Sequence, residues 1–234
     1  MTKSEAIRKV LEYNNGIANL NLIYKEIENY YPLIKRPRDW NAALRGIINR
    51  DVIEKKIKRV GLSLYALNDF VEENISLLKS DEMRMHSFIE GVCIEIGNLN
   101  GFYTYTADPT AKYNNVMLSN ISTLPKLPDF TYSEIVNVAK RIDVLWFNKN
   151  GFQYPKKAIE VVDSINTLEP ALKRCLQLTD FDISINIIAN KKYINKINKE
   201  INFKPYNRYL DKYKIFDYDS ILNIYQNPYS KHEF

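Results

Sequence analysis

At 234 residues with a net charge of +5, the chain is long enough for one large domain or two modest ones and has a weak bias toward polyanionic partners. A 45% hydrophobic content with only 7 Gly excludes a disordered or collagen-like chain. No apolar run approaches the roughly 20 residues needed to cross a bilayer, and Met1-Thr2-Lys3-Ser4-Glu5-Ala6 lacks the apolar core of a signal peptide. No membrane association and a cytoplasmic location are therefore expected. Cys93 and Cys175 have no partner at a ligand spacing, which argues against a zinc site or a disulfide framework, so both are expected to be buried small hydrophobes.

From the N-terminus, Ala6, Ile7, Val10 and Leu11 share a face of a first helix, Ser4 to Tyr13, capped by Ser4 and ended at Asn14-Asn15-Gly16. A second helix is expected from Leu20 to Tyr30, burying Leu20, Ile23, Tyr24 and Ile27, with Pro32 stopping it. A basic loop, Lys35-Arg36-Pro37-Arg38, follows. From the cap Asp39, residues Trp40, Ala43, Leu44, Ile47 and Ile48 form the stripe of a third helix with Arg45 and Arg50 on its other face. Residues 52–60 and 62–67 alternate apolar and polar about Gly61, as a two-stranded hairpin would.

Three helices and a basic hairpin are the order of a winged helix, a helix-turn-helix variant. Between Leu33 and Val60 nine basic residues face three acidic ones, an excess larger than that of the whole chain. That charge falls on the loop, third helix and wing, the parts that would meet phosphates and the major groove. Arg36, Arg38, Arg45, Lys55, Lys56 and Lys58 are the candidate DNA contacts, the alternative being a winged helix that mediates protein contacts.

The pattern changes near Leu78 to Ser80, so two domains are expected, 1–78 and 79–234. A longer helix, Asp81 to about Gly97, places Met85, Phe88, Ile89, Val92, Cys93 and Ile96 on its buried side. Strand-like runs follow at 101–107, 142–147, 157–162, 183–189 and 213–218, with helices at 132–140, 167–178, 191–201 and 219–225. This order implies an α/β fold with a central mixed sheet flanked by helices.

Two acids stand on runs that otherwise read as buried strand: Asp143 in Arg141-Ile142-Asp143-Val144-Leu145-Trp146-Phe147, and Glu160 in Ala158-Ile159-Glu160-Val161-Val162. A carboxylate among aliphatic neighbours is costly unless paired or holding a metal. Two on successive strands joined through Asn148 to Pro155 would project near each other, and paired hard oxygens are what Mg²⁺ requires. Either acid alone is explained as well by a strand-end cap or by pairing with a base such as Arg141. No Gly-rich phosphate loop, G-x-S-x-G elbow or H-E-x-x-H is present, so nucleotide hydrolase, serine esterase and zinc protease chemistries have no motif.

The Asp on one strand and Glu on the next, with Pro155 between them and an upstream helix carrying His86 and Glu90, resembles the PD-(D/E)XK nuclease superfamily, type II restriction endonucleases in particular. The resemblance covers roughly Asp81 to Tyr225. It implies Mg²⁺-dependent, sequence-specific or modification-sensitive hydrolysis of double-stranded DNA, with Asp143, Glu160 and the Val161 carbonyl holding the metal and Glu90 assisting. Cutting both strands implies a homodimer.

The lysine expected two residues after Glu160 is replaced by Val162. Three alternatives stay open. Another base, from Lys156, Lys157, Lys173 or Arg174, takes the role, Lys157 being counted among the catalytic residues. His86 or Asp163 activates water instead. Or the chain is a catalytically inactive nuclease-fold regulator that only binds DNA. Ser164, Asn166 and Arg174 border the strand end and are weaker candidates for contacting DNA, since surface polarity explains them equally well.

Overall fold

The computed structural model describes residues 1–32, 39–72, 82–227 and 234, with the side chains at 82 and 83 excepted. Arg36, Arg38, His232 and the expected domain boundary at 78 and 79 lie outside the described residues. The chain divides into two compact units, Met1–Glu73 and Asn74–Phe234.

The first unit contains α1 (Lys3–Tyr13), β1 (Ile17–Asn19), α2 (Leu20–Glu26, continued by a 3-10 turn at Ile27–Asn29), α3 (Trp40–Ile53), β2 (Lys58–Arg59) and β3 (Leu64–Ala66). Ala6, Ile7, Val10 and Leu11 of α1 pack with Ile23, Ile27, Trp40, Leu44 and Ile48 into one core. The cap of α1 is Thr2 rather than Ser4, because Thr2 and Glu5 form a reciprocal capping box. Ser4 instead donates to buried Asp51 across the core edge, at 2.6 Å.

The expected hairpin is corrected at its first strand. Helix α3 runs on through Val52 and Ile53, and Lys56 N–H donates to the Asp51 carbonyl, closing the helix end. Lys55 takes a left-handed turn conformation at φ 56°. Lys55 and Lys56 therefore sit in a turn after the helix, and only Lys58 and Arg59 form the strand. Ala43 is exposed, outside the apolar stripe. Strand β1, too short to show alternation, pairs antiparallel with β3 and completes a sheet of order β1-β3-β2.

The second unit is mixed α/β. Its elements are α4 (Glu82–Leu99), β4 (Tyr103–Thr106), the small pair β5 (Lys112–Tyr113) and β6 (Val116–Met117), α5 (Leu118–Ile121), α6 (Ser133–Ala139), β7 (Val144–Phe147), β8 (Pro155–Val162), α7 (Ile165–Leu176), β9 (Ser184–Ala189), α8 (Ile194–Ile201), β10 (Tyr213–Asp217) and α9 (Tyr218–Gln226). The central sheet has order β10-β9-β8-β7-β4. It is mixed: β10, β9 and β8 are parallel, while β8–β7 and β7–β4 are antiparallel. Strand β7 is buried at every residue and β8 at nearly every one, as expected of strands covered on both faces.

One face of the sheet carries Leu145, Phe147, Ala158, Val162, Ile185 and Ile187 against Leu168, Leu172 and Cys175 of α7. Helix α4 lies close to the sheet because Gly97 has no side chain: a Cβ there would come 2.7 Å from both the Trp146 ring and Thr104 Cγ2. That approach brings His86 and Glu90, further back on α4, to the start of β7. Among the described residues no helix is long and apolar enough to cross a membrane.

Candidate active site

The β7–β8 register pairs Val144 with Ile159 and Leu145 with Ala158. One step further sets Asp143, immediately before β7, opposite Glu160. Asp143 Oδ2 accepts from Val161 N–H at 2.7 Å, which fixes the aspartate across the hairpin. The Asp143 carboxylate adds to the upward shift that burial imposes on Glu160. The expectation that strand pairing would juxtapose these two acids is thus met in geometry, with Asp143 at the strand's entry rather than inside it.

Glu160 is 1% exposed, and Arg174 of α7 grips both its oxygens, Nε at 2.7 Å from Oε1 and Nη2 at 2.5 Å from Oε2. Such a fork is the geometry in which arginine binds carboxylate most strongly. Burial pushes the Glu160 carboxyl up, and Arg174 pulls against that shift. Val162, at the expected lysine position, is 1% exposed and packs into the core under α7, so it reaches nothing in the site.

From the opposite side α4 supplies His86 and Glu90, one turn apart and on the same helix face. His86 Nδ1 is 2.7 Å from Asp163 Oδ2, while Nε2 is 3.5 Å from Glu90 Oε1 and 3.7 Å from Asp143 Oδ2. Tyr218, the first residue of α9, donates its hydroxyl to Asp163 Oδ1 at 3.0 Å. Burial works against the charged imidazole, but Asp163, Glu90 and Asp143 outweigh it and push the His86 pKa up to about 11. Glu90 is 2% exposed; burial raises its carboxyl to about 7 against the opposing pull of His86. Burial also raises Asp143, against His86 and the Val161 N–H.

These groups line a cleft of about 270 Å³ bounded by His86, Asp143, Glu160, Val161, Asp163 and Arg174, with Asn166 and Thr167 of α7 at its edge. If every group ionises, four carboxylates (Glu90, Asp143, Glu160, Asp163) face two cations (His86, Arg174). The excess of two negative charges matches one divalent ion. The donor atoms of His86, Glu90 and Asp143 all lie within 4.8 Å of one another, so a small side-chain adjustment would let them share one ion. On charge and donor placement the residues fit a divalent metal.

Other candidates are placed elsewhere. Lys157, expected with the catalytic set, projects from the sheet face opposite to Glu160, because neighbouring strand residues point to opposite faces. It is 7% exposed, with its ammonium 4.8 Å from the Trp146 ring centre and 4.6 Å from that of Phe234. Burial lowers its pKa to about 8. Lys156 pairs with Asp182 and Lys173 with Glu169, so of the four proposed substitutes for the missing lysine only Arg174 reaches Glu160. The Ser164 carbonyl accepts from the Thr167 hydroxyl at 2.8 Å.

In the first unit Arg45 is exposed on α3, 3.4 Å from the Tyr24 hydroxyl. Lys56 pairs with Glu54, and Lys58 with Glu72 and the Phe70 carbonyl. Thr167 and Tyr218 were not legible as site residues, Tyr218 because 55 residues separate it from Asp163. Asp163 was legible only as an alternative base; its signal is its place one residue beyond β8.

Fold and site together define an α/β protein with a buried His–carboxylate cleft at the mouth of an antiparallel pair within a mixed sheet. Residues 69–230 match the family model described as the type II restriction enzyme NmeDI C-terminal domain, and the chain belongs to that family of restriction enzymes. It matches no curated protein and no solved structure.

Proposed function

We propose that the chain is a metal-dependent site-specific deoxyribonuclease that hydrolyses double-stranded DNA in a sequence-specific or modification-sensitive way. The observation that carries this reading is the single cleft holding Asp143, Glu160, His86, Asp163 and Arg174, in a chain of restriction-enzyme family. The second unit is taken as a PD-(D/E)XK nuclease domain. Asp143, Glu160 and the Val161 carbonyl would hold a divalent ion such as Mg²⁺, with Glu90 in support. When bound, such an ion supplies Lewis acidity, lowering the pKa of water and neutralising charge that develops on the phosphate.

Each residue has a separable task. Asp143 is held at the cleft by Val161 N–H, which donates to its Oδ2. Arg174 supplies the positive charge that the absent lysine would have brought; it favours the ionised form of Glu160 against burial and, on releasing one oxygen, would offer N–H groups to a DNA phosphate. Asp163 orients His86 so that Nε2 faces Glu90 and Asp143. Asn166 and Thr167, at the edge of the cleft, would contact phosphate.

For the first unit, the order helix, strand, helix, helix, strand, strand supports a winged helix whose α3 enters the major groove. Arg45, Lys55, Lys56 and Lys58 would contact DNA there. Cutting both strands requires two cleavage centres, so the proposed working form is a homodimer.

The Glu160–Arg174 fork also favours a second reading, a catalytically inactive DNA-binding regulator, because both Glu160 oxygens are taken and Val162 replaces the lysine. Incubation with plasmid DNA in Mg²⁺ or Mn²⁺, with Asp143→Ala as control, separates the two. Discrete fragments from the wild type alone support the nuclease; tight DNA binding without fragments in either ion supports the regulator.

A further inference from the structure

We infer that His86 ligates the metal of this centre through Nε2, so that the cleft selects Mn²⁺ or Co²⁺ over Mg²⁺. The inference rests on the metal-dependent reading above and names the class of ion it would take.

Three observations lead to it. First, the imidazole lies beside buried Glu90 and half-buried Asp143: Nε2 is 3.5 Å from Glu90 Oε1 and 3.7 Å from Asp143 Oδ2. Donors at about 2.1 Å from a common ion lie no more than about 4.2 Å apart, so both separations already fit one coordination sphere. Second, the far side of the ring is fixed. An ionised Asp163 only accepts hydrogen bonds, so its 2.7 Å contact puts the proton on Nδ1 and the lone pair of a neutral His86 on Nε2. Tyr218 holds the other Asp163 oxygen at 3.0 Å. A carboxylate behind an imidazole, itself anchored by a further hydrogen bond, is the arrangement that orients metal-binding histidines. Third, Arg174 engages both Glu160 oxygens, while His86, Glu90 and Asp143 offer one nitrogen and two oxygens within 4.8 Å of one another.

That donor set decides the preference. Mg²⁺ takes oxygen ligands and retains its waters, whereas imidazole suits first-row transition ions, whose affinity for mixed N/O sites exceeds that of hard cations. A structural imidazolium neutralising the carboxylates would need the same three neighbours but would be displaced by a metal rather than bound to it.

The test uses untagged full-length protein, since His232 is the only other histidine. Pulsed EPR of the Mn²⁺-loaded wild type should show a directly coordinated ¹⁴N coupling that His86→Gln abolishes. Titration calorimetry should show Mn²⁺ bound more tightly than Mg²⁺, and His86→Gln should weaken Mn²⁺ binding by at least about tenfold, the scale seen when a metal site's outer support alone is lost. Mn²⁺ bound to wild type without ¹⁴N coupling overturns the assignment and leaves the metal-dependent reading standing, provided that Asp143→Asn still abolishes binding. Failure of wild type to bind either ion overturns both. Because the wild-type spectrum decides the ligand by itself, a variant that fails to fold cannot rescue the proposal.

Discussion

Replacing Arg174 by alanine isolates the interaction on which Glu160 depends. The carboxyl is 1% exposed, and both its oxygens are bound by the guanidinium at 2.7 and 2.5 Å. Removing one partner of such a pair leaves an uncompensated buried charge, which costs about 3–5 kcal/mol. Glu160 can limit the loss by taking up a proton. Burial already raises its pKa, and the loss of Arg174 raises it further. Between the unfolded carboxyl pKa and that raised native value the folded state binds more protons than the unfolded one, so the stability of the variant falls as pH rises. Because the Glu160 pKa is already raised to about 8 with Arg174 present, the deficit relative to wild type is flat below that pH and grows as pH rises above it.

Urea unfolding followed by tryptophan fluorescence measures it, in a Trp40→Phe background that leaves Trp146 of the nuclease-family unit as the sole indole. Adding Glu160→Gln to Arg174→Ala should recover about half of the loss or more, since it removes the stranded charge. A deficit under about 1 kcal/mol that does not change with pH would refute the reasoning.

Gly97→Ala should destabilise by about 1–3 kcal/mol, because its Cβ would come 2.7 Å from Trp146 and Thr104 in a packed interface; calorimetric melting checks it. Lys157→Met should leave DNA cleavage intact, since Lys157 points away from the site. It should also remove a pH dependence: with a native pKa of about 8 against 10.5 unfolded, the wild type gains stability as pH rises between those values. That gain is at most about 3 kcal/mol, because the two rings beside the ammonium favour its charged form. Arg45→Ala and Lys55→Ala should each weaken binding to unrelated DNA sequences alike and lower the salt slope by about 1, measured by fluorescence anisotropy. A loss confined to one sequence would instead mark a base contact.

The second unit was legible in the sequence because its strands are long enough, and apolar enough, to declare a period. Runs around Leu145, Ile159 and Ile187 lie on the sheet as expected, within one to three residues at their ends. The first unit was harder. Three-residue β1 shows no alternation, and Val52 and Ile53, β-branched residues that favour strands, instead extend α3 because Leu44, Ile48 and Asp51 continue its buried stripe. In the site, Asp143 and Glu160 announced themselves as charges in apolar strands. The groups that complete it come from α4, α7 and α9, and their convergence depends on packing such as the Gly97 contact, which no local pattern encodes. Lys157 illustrates the limit: its closeness to Glu160 in sequence suggested a shared role, yet the pleat sends it to the other face.

The most direct measurement is supercoiled plasmid cleavage by the wild type and Asp143→Ala in Mg²⁺ and in Mn²⁺, with DNA binding measured on the same preparations. A metal-dependent nuclease yields discrete fragments with the wild type and none with Asp143→Ala. Wild-type protein that binds DNA tightly but leaves the plasmid intact in both ions would contradict the account.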